Sequence, residues 1–193
     1  MIYSFRIEQA IRAASILHKD QVRKGSAPLP YISHLVATAF IVADYSKDED
    51  VIIAALLHDT LEDTDYTAAE LEDDFGGVVR ELVETVTEPQ EQAWEDRKIT
   101  YTKQIKQGSE GAAIIAAADK IHNLRSIVED YYDDHARFIA DFGGSLEKRV
   151  EVYQKMSNVL NQKLKNPILG EFNHVFEEYK KFVYDVKKET EEQ

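Results

Sequence analysis

The chain has 193 residues, 44% of them hydrophobic and 31% charged, with a formal net charge of −13 and no cysteine. The length suits one domain with a single sizeable core, and the missing cysteines exclude disulfides, thiolate metal sites and a cysteine nucleophile. The negative charge argues against nucleic acid and anionic membrane as partners, because both need a basic face.

Eight Gly and four Pro are too few for the turns of a β-sandwich or barrel, so the expected fold class is all-α, a helical bundle in one domain over 1–193. The opening residues Met1–Arg6 lack the basic start and apolar run of a signal peptide. No apolar stretch approaches the ~20 residues that cross a bilayer, and a cytoplasmic location is expected. A first amphipathic helix is predicted over about Phe5–Lys24, with Ser4 as its cap and Ile7, Ala10, Ile11, Ala14 and Leu17 on one face. Gly25 stops it, and Ser26–Pro30 is a loop. Helices follow over about Ser33–Tyr45 and Glu49–Glu62. Thr67–Glu70 is a capping box that opens a short helix ending at Gly76–Gly77. Further helices are predicted over about Val78–Thr87, Trp94–Gln107, Gly111–Tyr132, Ser145–Lys165 and Ile168–Lys188. No segment alternates as a strand should.

Polar residues stand where the pattern is most apolar. Val51–Leu57 is apolar on every side, which marks a buried helix, and it runs directly into His58-Asp59-Thr60-Leu61-Glu62-Asp63. On a continuous helix His58 and Glu62, and Asp59 and Asp63, share a face. Carboxylates gathered beside a core repel one another, and burying them unpaired costs several kcal/mol each. A divalent cation is the simplest compensation. The apolar run Ala112–Ala118 ends in the same way at Asp119, and His34 sits near the start of a third apolar helix. Taken singly, each of these residues reads at least as well as a hydrogen-bonded core group or a solvated helix end. Their recurrence at three buried helices favours a metal site, with nitrogen and oxygen ligands suited to Mn²⁺, Fe²⁺ or a related ion.

Those residues carry a resemblance. His34, the adjacent His58-Asp59 and the later Asp119 resemble the signature of HD-superfamily phosphohydrolases. The blocks Tyr31-Ile32-Ser33-His34, Ala54 to Thr64, Phe75-Gly76 and Ala118 to Arg125 resemble the hydrolase domain of RelA/SpoT-type alarmone enzymes, and most nearly the stand-alone small alarmone hydrolases. The likeness spans about Ile7 to Val128, and nothing after about Asp130 resembles the family's motifs. It implies an HD-domain bundle over about 5–130 with additional C-terminal helices over about 133–190. It also implies one divalent metal ion, usually Mn²⁺, with Fe²⁺, Zn²⁺, Ni²⁺ or Mg²⁺ as alternatives. The ion would be held by His34, His58, Asp59 and Asp119, with Glu62 and Asp63 serving the attacking water.

The implied reaction is removal of the 3′-pyrophosphate from a guanosine tetra- or pentaphosphate by a metal-activated water. Arg23 and Lys24 would flank base and phosphates, Asn123 would contact the nucleotide, and Lys120 and Arg125 would neutralise phosphate charge. Arg97 and Lys98 are expected as solvated surface charges. His18, His135 and His174 are not counted as ligands, and His122 has no ligand role in the motif. The site is expected to hold one ion, with a small-molecule nucleotide as partner and homo-oligomerisation left open. Two alternatives stand beside this reading: another nucleotide or phosphoester as substrate, and a non-catalytic nucleotide-binding module.

Overall fold

Every regular element of the computed structural model is helical among the residues it describes, which are 3–24, 28–90, 92–134 and 146–191. The expected stop at Gly25, the loop residues Ser26 and Ala27, His135 and the helix start at Ser145 lie outside them, as does the side chain of Trp94. In chain order the helices are α1 (Phe5–Leu17), α2 (Ile32–Tyr45), α3 (Glu49–Leu56), α4 (Thr60–Asp63), α5 (Ala68–Phe75), α6 (Gly77–Val86), α7 (Trp94–Gln107), α8 (Glu110–Asp133), α9 (Leu146–Lys163) and α10 (Ile168–Glu191). No described helix is long and apolar enough to cross a membrane.

The core is built on α3 and α8. Val51–Leu57 and Ala112–Ala118 are buried throughout; α8 packs against α2, α3, α6 and α10, and α3 against α1, α2 and α6. Burial of Ile52, Ile53, Leu56 and Leu57 stabilises the fold by about 1.5–3 kcal/mol per side chain. Gly111 sets the close approach, because a Cβ there would lie 2.9 Å from Val51 Cγ2 and 3.2 Å from Leu82 Cδ2. Gly76, at φ +93°, makes the corner between α5 and α6, a conformation that a side chain disfavours. The capping box at Thr67 and Glu70 forms as predicted.

Two boundaries differ from the sequence pattern, and both shape the site. Helix α1 ends at Leu17 and not at Lys24. His18 is buried and its Nδ1 pairs with Gln21 Oε1 at 2.7 Å, a local bond that competes with helix continuation. The chain then runs extended, with Arg23 N donating to Leu29 O at 2.9 Å and Tyr31 N to Gln21 O at 3.0 Å around an isolated Val22–Pro30 bridge. The helix expected over Glu49–Glu62 also breaks. It stops at Leu56; Thr60 then donates to Leu57 O through both its backbone N (3.0 Å) and its Oγ1 (2.6 Å). With Leu57 and Thr60 both buried, that tight turn is anchored from inside. His58 and Asp59 therefore stand on a corner between α3 and α4, not on a continuous helix face.

The C-terminal helices complete the bundle. Helix α10 lies on α8, and α9 packs against α7, α8 and α10. Phe172, Phe176, Tyr179 and Phe182 are buried in the core, whereas Tyr184 and Tyr132 are exposed.

Candidate metal centre

His34 enters from the first turn of α2, His58 and Asp59 from the corner after α3, and Asp119 from the middle of α8. His34 Nε2 lies 3.3 Å from Asp119 Oδ1 and 3.6 Å from Asp59 Oδ2. His58 Nε2 lies 3.2 Å from Asp59 Oδ2 and 3.8 Å from Asp119 Oδ1. The two imidazoles are only 1% and 4% exposed. His58 Nδ1 donates to Ala55 O at 2.8 Å, which in the neutral ring leaves Nε2 with the lone pair. That buried atom has no hydrogen-bond partner.

Two atoms bound side by side at about 2.0–2.2 Å to one ion stand roughly 3.0–3.5 Å apart. The four separations fall in or close to that range. An orphaned imidazole nitrogen facing two carboxylates, with a second imidazole beside it, fits a borderline divalent ion.

The charges are arranged accordingly. Burial pushes the Asp119 carboxyl up, but the Lys120 ammonium, 2.6 Å from Oδ2, together with the His34 and His58 imidazoles, holds the group well below the usual carboxylate range. Burial lowers His34. Burial also opposes charge on His58, yet the Asp59 and Asp119 carboxylates win and hold its pKa above the ordinary imidazole value in the ion-free protein.

A second layer of contacts orients the first. Tyr31 OH donates to Asp59 Oδ2 at 2.8 Å. The Tyr31 ring stacks on His18 (centroids 5.2 Å apart) and has the Arg23 guanidinium 5.7 Å from its centroid. Arg23 Nη2 donates to Asn123 Oδ1 at 2.9 Å, and Asn123 Nδ2 donates to Asp119 Oδ1. His122 Nδ1 lies 2.9 Å from His34 Nδ1.

Glu62 and Asp63 lie on α4 beside this centre. Glu62 Oε2 accepts from Glu88 N at 3.0 Å. Burial is the main force raising its pKa, and the Glu88, Asp59 and Asp63 carboxylates add to it. Asp63 is raised by burial and by Asp59.

Two cavities flank the centre. One is lined by Glu88, Lys98, Tyr101, Lys120, Arg149 and Tyr153 among others. Lys120 joins it to Asp119, and its ammonium sits 5.0 Å from the Tyr101 ring centroid. Lys98 is not the solvated charge that the sequence suggests: its side chain is 25% exposed and pairs with the Glu88 carboxylate. Arg97 bonds Gln90 Oε1 at 3.1 Å. The other is an open cleft lined by Arg23, Lys24, Ser33, His122, Ser126 and Glu129 among others. Arg125 is not brought to either; it pairs with Glu171 on α10 at 2.8 Å, and its side chain is 51% exposed.

Comparison with known proteins follows the same geometry. The family model of the HD domain matches residues 10–143. The chain belongs to the HD-domain family. HD-domain membership implies a divalent metal, and His34, His58 and Asp59 form a cluster that could hold one. The chain is 33% identical over 162 residues to the mouse (Mus musculus) guanosine-3′,5′-bis(diphosphate) 3′-pyrophosphohydrolase MESH1, covering 77% of this chain and 90% of that one. The Xenopus tropicalis protein of the same name is 35% identical over 175 residues, 88% of this chain and 92% of that one. A solved structure described as a metazoan ortholog of SpoT that hydrolyses ppGpp superposes with a TM-score of 0.77 at 26% identity, over 91% of this chain and 96% of that one. The HD-domain match ends before α9, yet Arg149 and Tyr153 of α9 wall the first cavity.

Tyr31 and His122 were visible only as parts of motif blocks, and Glu88, Arg149 and Tyr153 carried no functional signal in the sequence. Glu88 is a charge in a loop, Arg149 and Tyr153 sit on a helix with no motif, and the value of each depends on a tertiary contact.

Proposed function

We propose that this protein is a metal-dependent phosphohydrolase that removes the 3′-pyrophosphate of guanosine 3′,5′-bis(diphosphate), releasing GDP and pyrophosphate. The observation that carries the reading is the buried His34, His58, Asp59 and Asp119 cluster, with Glu62 and Asp63 on one side and a cation-lined cavity on another. The relatives named for that activity support the same reaction class. The four cluster residues would hold the ion, and Mn²⁺ is the ion proposed. When bound, such an ion polarises a phosphoryl oxygen and lowers the pKa of water.

The chain's own residues do the rest. Glu62, fixed by the Glu88 N–H and made more basic by burial, takes a proton from the attacking water. Asp63 on the same short helix orients that water. Water's oxygen bonds to phosphorus, the bond from phosphorus to the 3′-oxygen breaks, and a proton goes to that oxygen. The first cavity is lined by Lys98, Lys120 and Arg149 as well as Glu88, and cations so placed suit the departing pyrophosphate. Arg23, Lys24 and Asn123 face the nucleoside side.

The test is product release from a nucleotide panel with Mn²⁺ present. Pyrophosphate and GDP should appear from guanosine 3′,5′-bis(diphosphate). A preference for simple 5′-monophosphates would replace this substrate with another, and hydrolysis of nothing in the panel by Mn²⁺-loaded protein would remove the enzymatic reading.

A further inference from the structure

His122 has no place in the proposed ligand set, yet it touches a member of it. Its Nδ1 lies 2.9 Å from His34 Nδ1 and 3.5 Å from Ser126 Oγ. Two imidazole nitrogens at that distance share one proton, so one donates and the other accepts. The choice is forced by His34. Its Nε2 faces Asp59 and Asp119 and must offer a lone pair there to bind an ion, so a neutral His34 carries its proton on Nδ1. His34 Nδ1–H therefore donates, and His122 Nδ1 accepts.

With Nδ1 accepting, the ring proton of His122 sits on Nε2. His122 Nε2 is not among the buried polar atoms lacking a partner, and no hydrogen bond to it occurs among the described residues. The residue lines the second cleft with Arg23, Lys24 and Ser126. Nε2–H thus opens on that cleft.

We infer that His122 is a two-ended positioning residue: its Nδ1 fixes the tautomer of His34, and its Nε2–H is an oriented donor to an acceptor oxygen of a nucleotide in the Arg23–Ser126 cleft. The second half rests on the nucleotide reading proposed above; the first half does not. A consequence is reciprocal coupling. An ion on His34 Nε2 locks the shared proton on His34 Nδ1 and so locks the His122 donor, and ion and nucleotide strengthen each other's binding.

Two isosteres separate the two ends. In His122→Asn, Oδ1 replaces Nδ1 as the acceptor and the distal donor is lost. In His122→Gln, the amide N–H₂ stands near Nε2 and the proximal acceptor is lost. Mn²⁺ affinity is read by chelator competition without nucleotide, and GDP affinity by calorimetry at saturating Mn²⁺, with circular dichroism to confirm folding. His122→Asn should keep Mn²⁺ affinity within about twofold and weaken GDP by about tenfold, the worth of one hydrogen bond. His122→Gln should weaken Mn²⁺ by about 10–100-fold, as loss of an outer-layer partner does, and keep GDP within about threefold. A crossed pattern is required. Variants that behave alike, or the reverse assignment, would overturn the inference. Failure of the wild type to bind GDP would overturn the distal half alone. Failure to release pyrophosphate, with the crossed pattern intact, would instead strike the proposed reaction.

Discussion

Lys120→Met should destabilise the ion-free protein and tighten its hold on Mn²⁺ at the same time. The Lys120 ammonium lies 2.6 Å from Asp119 Oδ2, and the two side chains are 15% and 9% exposed. Removing one partner of a buried pair costs about 3–5 kcal/mol, because the remaining charge is left uncompensated. Methionine restores the apolar contact of the lysine stem, so the low end, about 3 kcal/mol, applies. For a domain of this length that lowers Tm by about 6–12 °C.

An ion offers Asp119 a replacement cation. If it recovers half the loss, about 1.5 kcal/mol, the thermodynamic cycle requires Mn²⁺ to bind the variant about tenfold more tightly. Calorimetric melts in EDTA and in saturating Mn²⁺, with a direct titration, measure all the terms. The gap between wild type and variant should close as pH falls through the acid range. Asp119's depressed pKa contributes stability present above the unfolded value and lost as the folded group is protonated. Equal Tm losses with and without Mn²⁺ would refute the role of Lys120 as counter-ion to Asp119.

Glu62→Gln should retain Mn²⁺ and lower turnover by about 10²–10⁴-fold; metal analysis beside a pyrophosphate assay checks it, and full turnover would remove Glu62 as base. Mn²⁺ affinity should rise with pH by about tenfold per unit until His58 is neutral, because the ion displaces one proton, and a flat chelator-competition profile would contradict this. The sign follows from His58's raised pKa: its pairing with Asp59 and Asp119 stabilises the ion-free fold fully below the ordinary imidazole value and is lost as pH rises through the folded one. Arg149→Ala should raise KM for guanosine 3′,5′-bis(diphosphate) by about tenfold or more while leaving Mn²⁺ affinity unchanged, as steady-state kinetics and a metal titration would report. Gly76→Ala should cost about 1–2 kcal/mol in denaturant melts, since φ +93° is retained only with strain.

The helical class and most helix ends were legible in the sequence because capping and apolar spacing are local. Ser4 and Thr67 cap the helices they precede. A metal site was legible for a different reason, because ionisable groups at the ends of wholly apolar runs must be compensated by something; His34, His58, Asp59 and Asp119 as a set were legible through their resemblance to the HD signature. What the pattern misplaced was backbone direction. Helical spacing continues unbroken from Glu49 to Asp63, and only the burial of Leu57 and Thr60 together folds that stretch into a corner. The first helix overran for the same reason, because the His18–Gln21 bond that ends it forms only once His18 is covered. Lys98 read as a surface charge because Glu88, its partner, is ten residues away in a loop with no periodicity.

Helix α9 gives the molecule a division of labour. In the proposed reaction the residues that hold the ion and serve the water lie on α2, α4, α8 and the corner after α3, whereas Arg149 and Tyr153 reach the first cavity from a segment beyond the family match. Changes on α9 would then alter how that cavity meets a phosphate chain while leaving the proposed ion and water residues in place.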